Sequence, residues 1–401
     1  VRIDGQDHVL LALTDPVQAV GKRLEEHGLR VAATDFIEEP DMLPNYAALN
    51  DFFDRQAHLR RLLDLPEIGA VVVDRTNGDD AAHLLVTPVV AGRSLQTLPA
   101  AFWIQLAAGF LTCSIAAFFL ALRPYYPPIL AFATAGIGVT GAAFSAAVYS
   151  TRHLALDVPT FVGLSLINQA STYIFGIATI YLFSIYPAAV ISPKRLWPVP
   201  LLSLLAFALY RLQWAPHDIV ATQVVILVML VAIIALVAAQ YRATRGDPAG
   251  RAVLLWLGLS VVFGAGAFGM FVALPAALGL DVLMTQSTGF IPLAAIYVGT
   301  AFAIARFRLF DLGRWAYRIL LYSITLTLLF VCDAALVMLL RLSPSTSLAI
   351  AVAITGIVYL PMRDLLLQRL FRSDVPGIAD LYRQTVAVGL QPTAPARASA
   401  W

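Results

Sequence analysis

Nine long apolar stretches follow one another between residues 102 and 360, and they restrict the chain to a small set of folds. A helix needs about 20 apolar residues to cross a bilayer, and roughly 17 is the usual minimum. The fourth and ninth stretches are short, and the fourth also contains Pro198 and Pro200. The sequence therefore predicts seven to nine membrane spans. In order, the stretches are Phe102–Leu122, Ile129–Tyr149, Phe161–Phe183, Trp197–Tyr210, Ile219–Ala239, Val253–Leu274, Thr288–Ala305, Ile319–Leu340 and Ser347–Leu360.

The composition also favours a membrane protein. Of the 401 residues, 59% are hydrophobic and 13% are charged, and the mean hydropathy is +0.78. The charged share is about half that of an ordinary soluble domain. A soluble globule of this length could not bury so much apolar surface. We therefore expect an α-helical polytopic membrane bundle.

The first hundred residues differ from the rest in charge and in pattern. Residues 1–100 carry 16 acidic side chains and 9 Lys or Arg, whereas residues 101–373 carry 7 and 16. Thr14–Gly28 has the capping residues of a helix, Asn45–Leu63 is an amphipathic helical pattern, and Ile68–Val89 is typical of a β-hairpin. The sequence predicts a small N-terminal α/β soluble domain, and its opening strand, Asp-Gly turn and helix resemble the second half of a PDZ module.

The two ends of the chain suggest a fragment of a longer protein. Because the sequence opens on Val1 within a strand-like run, we expect further residues upstream. Residues 101–360 form the predicted transmembrane domain. Leu366 and Leu370 share one face of a predicted amphipathic connector helix, residues 361–385, and residues 386–401 are an Ala/Pro/Ser-rich tail that we expect to be disordered.

The Lys and Arg residues predict how the bundle is oriented, because cytoplasmic loops carry an excess of these residues. With nine spans and residues 1–100 outside, the inner segments carry 13 Lys or Arg and the outer loops carry three, Arg152, Arg211 and Arg341. We therefore expect the N-terminal domain outside and the C-terminus in the cytoplasm.

Polar side chains within the spans are the candidate functional residues. The third span contains "LINQASTYIFG", and Asn168, Gln169 and Tyr173 within it are candidate ligand-binding residues. Hydrogen bonding between helices explains them equally well, because polar groups in hydrocarbon must find partners. Asp333 in the eighth span is a further candidate, for ligand contact, proton relay or switching, or it simply bonds a neighbouring helix.

The sequence shows no recognisable catalytic, metal-binding or nucleic-acid-binding pattern. Two stretches, Gly136–Gly141 and Gly264–Gly269, match G-x-G-x-x-G, but both lie in the middle of apolar spans. A dinucleotide site needs a preceding strand and a helix N-terminus at the phosphates. Close packing of helices through small residues is therefore the expected role of both stretches.

The segment Ala301–Trp315, "AFAIARFRLFDLGRW", resembles the junction of multi-spanning bacterial sensor histidine kinases. In those proteins a span ends in an aromatic-x-Ile-x-Arg-x-Arg-Leu-Phe-Asp-Ile/Leu pattern, two more spans follow, and a Pro-Leu-Arg…Gln…Phe-Tyr exit helix comes last. The first pattern is carried here by Phe302, Ile304, Arg306, Arg308, Leu309, Phe310, Asp311 and Leu312. The exit pattern is carried by Pro361, Met362, Arg363, Gln368, Phe371 and Arg372, with Met in place of Leu and Arg in place of Tyr.

The whole layout resembles the competence-pheromone receptor kinases, in which an outer domain precedes many spans and a kinase. The resemblance implies the signal-sensing and signal-transducing part of a two-component sensor histidine kinase in the bacterial inner membrane. It also implies a homodimer, contact with membrane lipid, an extracellular or membrane-soluble signal, and a cognate response regulator. Arg306, Arg308, Asp311, Pro361 and Arg363 would form the signal-transducing junction. ATP and Mg would belong to a kinase core expected beyond residue 401.

Two other classes of membrane protein remain open from the sequence. A transporter would have paired repeats, broken helices and several charges within its spans. A polytopic enzyme that modifies lipid would have a cluster of reactive side chains at one leaflet.

Overall fold

The structure of the protein is a computed structural model that describes residues 2–3, 6–14, 29–40, 43–65, 69–74, 83–86, 97–152, 154–214, 220–307, 325, 328–329, 332–333, 336, 346–357 and 386. The chain divides into two compact units, Val1–Ala351 and Val352–Trp401. In the second unit, residues 352–357 and Val386 are described. The rest of the predicted connector helix and tail, including Pro361 and Arg363, therefore lies outside the described residues.

The described part of the chain contains five helices long and apolar enough to cross a membrane, Ala100–Leu122, Pro127–Tyr149, Val158–Ile185, Thr222–Ala243 and Gly250–Ala277. Two shorter apolar helices are Ser287–Ala301 and Thr346–Ile357. The chain thus has the helices of a multi-pass membrane protein, as the sequence predicts. The count of seven to nine spans stays a prediction, because most of the eighth stretch lies outside the described residues.

Between residues 46 and 307, the described part of the first unit contains nine α-helices and two π-helical turns. The π turn Val220–Val224 leads into α6, and the π turn Gly269–Ala273 joins α7 to α8. The helices are α1 Tyr46–Leu63, α2 Ala100–Leu122, α3 Pro127–Tyr149, α4 Val158–Ile185, α5 Pro198–Arg211, α6 Val225–Ala243, α7 Pro248–Phe268, α8 Leu274–Ala277 and α9 Gln286–Phe307.

Short side chains and prolines begin several of these helices. The Asn45 side chain accepts a hydrogen bond from the Ala48 main-chain nitrogen at 2.9 Å, and the Asp157 side chain accepts one from the Thr160 nitrogen at 3.0 Å. Such caps satisfy donors that have no partner within the helix. Helix α5 begins at Pro198 and has 14 residues, or about 21 Å of rise, which is less than the roughly 30 Å of a bilayer core.

Helix α3 is the most buried of the five long helices. Its most apolar window is 67% buried, whereas the corresponding windows of the other four long helices are 33–44% buried. Helix α3 packs against α2, α4 and α9, while α6 packs on α4 and α7 packs on α6. Because α9 contacts both α7 and α2, these six helices close into a ring.

Glycines let α3 approach its neighbours closely. A Cβ atom on Gly138 would lie 2.6 Å from the Ser171 main-chain oxygen and 2.7 Å from the Phe175 nitrogen, both in α4. A Cβ on Gly136 would collide with Ala116 of α2. The stretch Gly136–Gly141 is therefore a packing surface between helices, which confirms the expectation for the first G-x-G-x-x-G match.

The N-terminal residues form short antiparallel strands. They are β1 Arg2–Ile3, β2 Gln6–Thr14, β3 Leu29–Arg30, β4 Gly69–Asp74 and β5 His83–Val86, with the order β1-β2-β4-β5 and with β3 also paired to β2. The pairing of β4 with β5 confirms the predicted hairpin, and α1 confirms the predicted helix at Asn45–Leu63. The predicted helix Thr14–Gly28 lies outside the described residues except for its first residue. A self-contained α/β domain and its PDZ likeness stay predictions.

We predict that Gly138→Ala destabilises the bundle by about 1–3 kcal/mol, because the added methyl group meets the main chain of α4. The measurement is thermal unfolding of the detergent-purified protein. The matched control is Gly266→Ala in α7, where an added Cβ meets nothing within 4 Å. Because alanine is the better helix former, the control should gain up to about 1 kcal/mol. Equal melting temperatures for the two variants would contradict this account of α3.

Candidate functional site

A small cavity of about 60 Å³ lies between the helices of the ring. Residues of α3, α4, α6, α7 and α9 line it, and Thr172 is the one lining residue with a polar side chain. The Thr172 hydroxyl donates to the Asn168 main-chain oxygen at 3.0 Å, within its own helix. The wall therefore presents an almost wholly apolar surface.

Gln169 is the unusual polar residue near this cavity. It precedes Thr172 by three residues and Gly176 by seven, so all three lie on one face of α4. The side chain is 8% exposed, and neither its amide nitrogen nor its amide oxygen has a hydrogen-bond partner among the described residues. An unpaired amide in an apolar interior costs roughly 1–3 kcal/mol by mutational measures. The bundle thus holds a donor and an acceptor ready for a partner.

Helices α4 and α6 run side by side, and further polar residues lie at the end of α6 that is nearer to Gln169. A Cβ on Gly176 of α4 would meet Met229 of α6, and Gln240 of α6 donates to the Phe183 oxygen of α4. Residue numbers rise together along both helices, so α4 and α6 run parallel. Gln169 comes seven residues before Gly176, so it lies toward the start of α6, where the π turn Val220–Val224 contains Thr222.

The two π-helical turns lie at this same end of the cavity. Val220–Val224 precedes the part of α6 that lines the cavity, and Gly269–Ala273 follows the part of α7 that lines it. Thr222 and Gln223 in the first turn are 1% and 2% exposed. π-helical turns inside longer helices frequently mark functional sites, because they widen the helix locally. The polar end of the cavity thus has irregular backbone on two neighbouring helices.

A cap, residues 29–40 and 43–65, lies on the end of the bundle nearest Gln169. Arg152, in the loop between α3 and α4, joins the cap to the bundle. Its guanidinium donates to the main-chain oxygens of Asp35 at 2.9 Å, Ile37 at 2.7 Å and Tyr149 at 3.0 Å. It also donates to the Gln56 side-chain oxygen at 3.2 Å. Four hydrogen bonds from one side chain thus fix two cap segments to the end of α3.

Aromatic rings cover the same guanidinium. Its central carbon lies 5.3 Å from the ring centroid of Phe52 and 4.7 Å from that of Phe161. Burial lowers the pKa of Arg152 to about 10, and the nearby carboxylates of Glu39 and Asp35 oppose that shift. Arg152 therefore remains charged at neutral pH, and its charge is balanced by carbonyl dipoles, carboxylates and ring faces.

A second arginine orders the cap itself. The Asp35 carboxylate is 1% exposed, and Arg55 binds both of its oxygens, at 2.8 Å through Nε and at 2.7 Å through a terminal nitrogen. The hydrogen bond to Asp35 raises the pKa of Arg55. Glu39 accepts a hydrogen bond from the Tyr149 hydroxyl. Two buried carboxylates of the cap thus have partners in α1 and α3.

Helix α1 extends across the bundle to the end of α5. The Tyr46 and Tyr210 rings lie 6.3 Å apart, and the side-chain amides of Asn50 and Gln213 exchange hydrogen bonds of 3.2 Å and 2.9 Å. The cap therefore bridges the α3–α4 loop and the end of α5.

The cap and the cavity share apolar packing. One buried cluster contains Leu49 and Phe52 of α1 together with Ala142 of α3 and Phe290 of α9. Ala142 and Phe290 also line the cavity. A displacement of α1 would therefore disturb the side chains that form the cavity wall.

The other predicted site residues have separate surroundings. The Asn168 amide nitrogen donates to the Ala142 oxygen at 3.0 Å, and the Tyr173 ring packs against Phe207 of α5 at 6.3 Å. Asp333 is half-buried and accepts a hydrogen bond from the Ser347 hydroxyl at 2.7 Å. Gln169 alone of these four has an unpaired side chain, and Thr172 alone of the third-span polar group lines the cavity.

The predicted junction is described only in part. Arg306 lies in the described backbone of α9, whereas Arg308 and Asp311, like Pro361 and Arg363, lie outside the described residues. Their role in signal transduction stays a prediction.

The site's chemistry is that of a binding cavity. In the part of the chain that the structure describes, no group of three or more His, Cys, Asp or Glu could hold a metal ion. The described lining residues have no ionisable side chain. The arrangement is a small apolar space, and the unpaired amide of Gln169 belongs to the residue three positions before the lining residue Thr172. Comparison with protein-family models, with curated proteins and with solved structures found no match to this chain.

We predict that Arg152→Lys loosens the cap, because an ammonium group cannot make four directed hydrogen bonds and stack on two rings. The expected loss is about 2–3 kcal/mol of unfolding free energy, with faster tryptic cleavage within residues 29–65. The matched control is Arg60→Lys, since Arg60 makes an exposed i,i+4 pair with Asp64. Such pairs contribute about 0.3–0.5 kcal/mol. Equal cleavage rates in the two variants would show that Arg152 does not hold the cap.

Two buried glutamines should respond oppositely to replacement by leucine. The Gln240 amide donates to the main-chain oxygens of Phe183 at 2.7 Å and Ala188 at 2.6 Å and accepts from the Ala188 nitrogen at 3.1 Å. Gln240→Leu leaves these main-chain groups without partners and should lower the free energy of unfolding by about 2 kcal/mol or more. Gln169→Leu should leave the free energy of unfolding equal or higher, because its amide has no partner to lose. The measurement is the melting temperature in detergent without added ligand. A large loss in Gln169→Leu would mean that the amide already has a partner.

Proposed function

We propose that the chain is the signal-sensing and signal-transducing membrane region of a two-component sensor histidine kinase in a bacterial inner membrane. In this proposal residues 1–100 are outside, the C-terminus is cytoplasmic, and the parent protein is a homodimer surrounded by lipid. ATP and Mg serve a kinase core that follows the exit helix, and a cognate response regulator receives the phosphoryl group. The resemblance of residues 301–372 to the kinase junction motivates this assignment.

The course of α9 is the observation that most strongly supports the proposal. Phe290 and Leu293 of α9 line the cavity, and the same helix continues to Phe307. Arg306, the first arginine of the predicted junction, therefore lies about 20 Å along one helix from the cavity wall. Pro292 lies inside α9 and removes one main-chain hydrogen bond beside the cavity. A change at the cavity thus has a continuous route to the junction.

The mechanism is a shift between two arrangements of the bundle. A ligand in the cavity, or a movement of the cap, favours one position of Phe290 and Leu293 over another. Helix α9 then moves at its Arg306 end, and the following spans pass the change to the exit helix. Such a shift requires only that the signal bind the two arrangements with different affinity.

We predict that a chimaera will report this coupling. The chain up to Arg372 is joined to the dimerisation and ATP-binding core of an established sensor kinase, and autophosphorylation is measured in membranes. Arg152→Lys should change the rate about fivefold or more, within the usual range of allosteric coupling, because it releases the cap from the cavity wall. Arg60→Lys should leave the rate unchanged.

The same protein distinguishes the transporter alternative, which the five apolar helices fit equally well. Wild-type chain in proteoliposomes would be tested for uptake of an apolar fluorescent probe. If Arg152→Lys does not change autophosphorylation and the wild-type protein takes up the probe, the sensor proposal is wrong and the transporter proposal takes its place.

A further inference from the structure

Positive charge is concentrated where α6 turns into α7. Arg242 lies in the last turn of α6, Arg245 lies in the connecting turn, and Arg251 lies in the first turn of α7. These three residues form the basic corner. Asp247 is the one carboxylate in the sequence between residues 240 and 252, so three positive charges and one negative charge leave a net charge of +2. The ion pairs between described residues lie in the cap, at the other end of the bundle.

Arg251 is the residue of the basic corner that the structure holds in a fixed direction. Its guanidinium carbon lies 4.7 Å from the ring centroid of Tyr241, in the last turn of α6. Its Nε is buried and has no hydrogen-bond partner among the described residues. Guanidinium groups bind phosphate oxygens through several N–H groups at once, which neutral acceptors match less well. The ring of Tyr241 thus positions a cation that is suited to a phosphate.

An exposed apolar surface continues from the basic corner along both helices. Leu255 and Leu259 follow Arg251 by four and eight residues, so they lie on the same face of α7, and both are exposed. Ile234 precedes the ring of α6 by seven residues, and it is exposed as well. The two helices approach closely beside these residues, because a Cβ on Gly258 of α7 would lie 3.0 Å from a side chain of α6. An acyl chain can therefore lie along both helices while its head group reaches the arginines.

We propose that the basic corner binds the phosphate of an anionic phospholipid whose acyl chains lie along the exposed faces of α6 and α7. The candidate spans Thr222–Ala243 and Gly250–Ala277 meet here, which places the three arginines at the level of lipid head groups. The net positive charge favours an anionic head group over a zwitterionic one. The apolar faces favour a lipid over free phosphate. The site would serve a sensor and a transporter equally, so it does not depend on the proposed function.

The test measures, by native mass spectrometry of the delipidated full chain, the dissociation constants of dioleoyl phosphatidylglycerol and dioleoyl phosphatidylcholine. The two lipids have the same chains and one phosphate each, but only phosphatidylglycerol has a net negative charge. We expect phosphatidylglycerol to bind about tenfold more tightly, because a Lys or Arg near an anionic surface contributes about a factor of five. Excess inorganic phosphate, which has no acyl chains, should not displace it.

Substitutions in the basic corner separate its effect from that of the total charge. Arg251→Gln should lower the preference for phosphatidylglycerol about fivefold. The triple variant with Arg242→Gln, Arg245→Gln and Arg251→Gln should bind both lipids equally. The matched control is Arg211→Gln, since Arg211 is exposed at the end of α5 that contacts the cap. It should keep the wild-type preference. Because the preference is a ratio within one variant, a partial loss of folded protein affects both lipids alike.

Tyr241 provides a test of how Arg251 is positioned. Tyr241→Leu removes the ring and should weaken phosphatidylglycerol about two- to fivefold, the contribution of a cation–π contact at an exposed site. Tyr241→Phe keeps the ring and should bind like the wild type.

Three results would overturn the assignment. Equal affinities of the wild type for the two lipids would leave an acidic protein surface as the partner of the basic corner. An equal loss of preference in Arg211→Gln and Arg251→Gln would show an effect of total charge alone. Displacement by inorganic phosphate would show an ion site without a lipid. A preference that depends on Arg251 supports the lipid site even if the kinase chimaera does not respond to Arg152→Lys.

Discussion

The backbone-to-backbone contact between α3 and α4 is the constraint on which the bundle depends. Lipid tails are as apolar as leucine side chains, so helices in a bilayer associate through close packing and hydrogen bonds rather than through the hydrophobic effect. Gly138 provides that closeness because it places nothing between α3 and the main chain of α4. Gly176 serves the contact between α4 and α6 in the same way, because an added Cβ there would collide with the Met229 sulfur.

Three buried amides within the spans show that residue type alone does not decide a role. Gln240 holds the loop that follows α4, and Asn168 bonds a carbonyl oxygen of α3. Gln169 is adjacent to Asn168 in sequence but is turned by about 100° around α4 and meets no partner among the described residues. The difference arises from which helix lies opposite each face. Gln240 and Asn168 are therefore structural, because main-chain groups face them, and Gln169 faces none among the described residues.

Much of the framework could be predicted from the sequence, and the relations between its parts could not. The long apolar stretches predicted the five long helices, and the patterns at Asn45–Leu63 and Ile68–Val89 predicted α1 and the β4–β5 hairpin. A helix that is apolar on every side has no periodicity to indicate which face meets which neighbour. The ring of helices and its cavity therefore could not be predicted from the sequence pattern. The sequence indicates Arg152 only as a charge in a loop, because its partners Asp35 and Ile37 lie more than 100 residues away. The π turns also lack a sequence signature.

The way in which Arg152 holds the cap limits what can release it. Its bonds to the segment after β3 go to the main-chain oxygens of Asp35 and Ile37, so they depend on the backbone of that segment and little on its side chains. The turn Ala33–Phe36 supplies that backbone, and Asp35 is held in place by Arg55. A partner or ligand that unwinds this turn would therefore break both bonds together. Since Arg152 lies just before α4, which carries Gln169 and part of the cavity wall, release of the cap would act directly on the start of that helix.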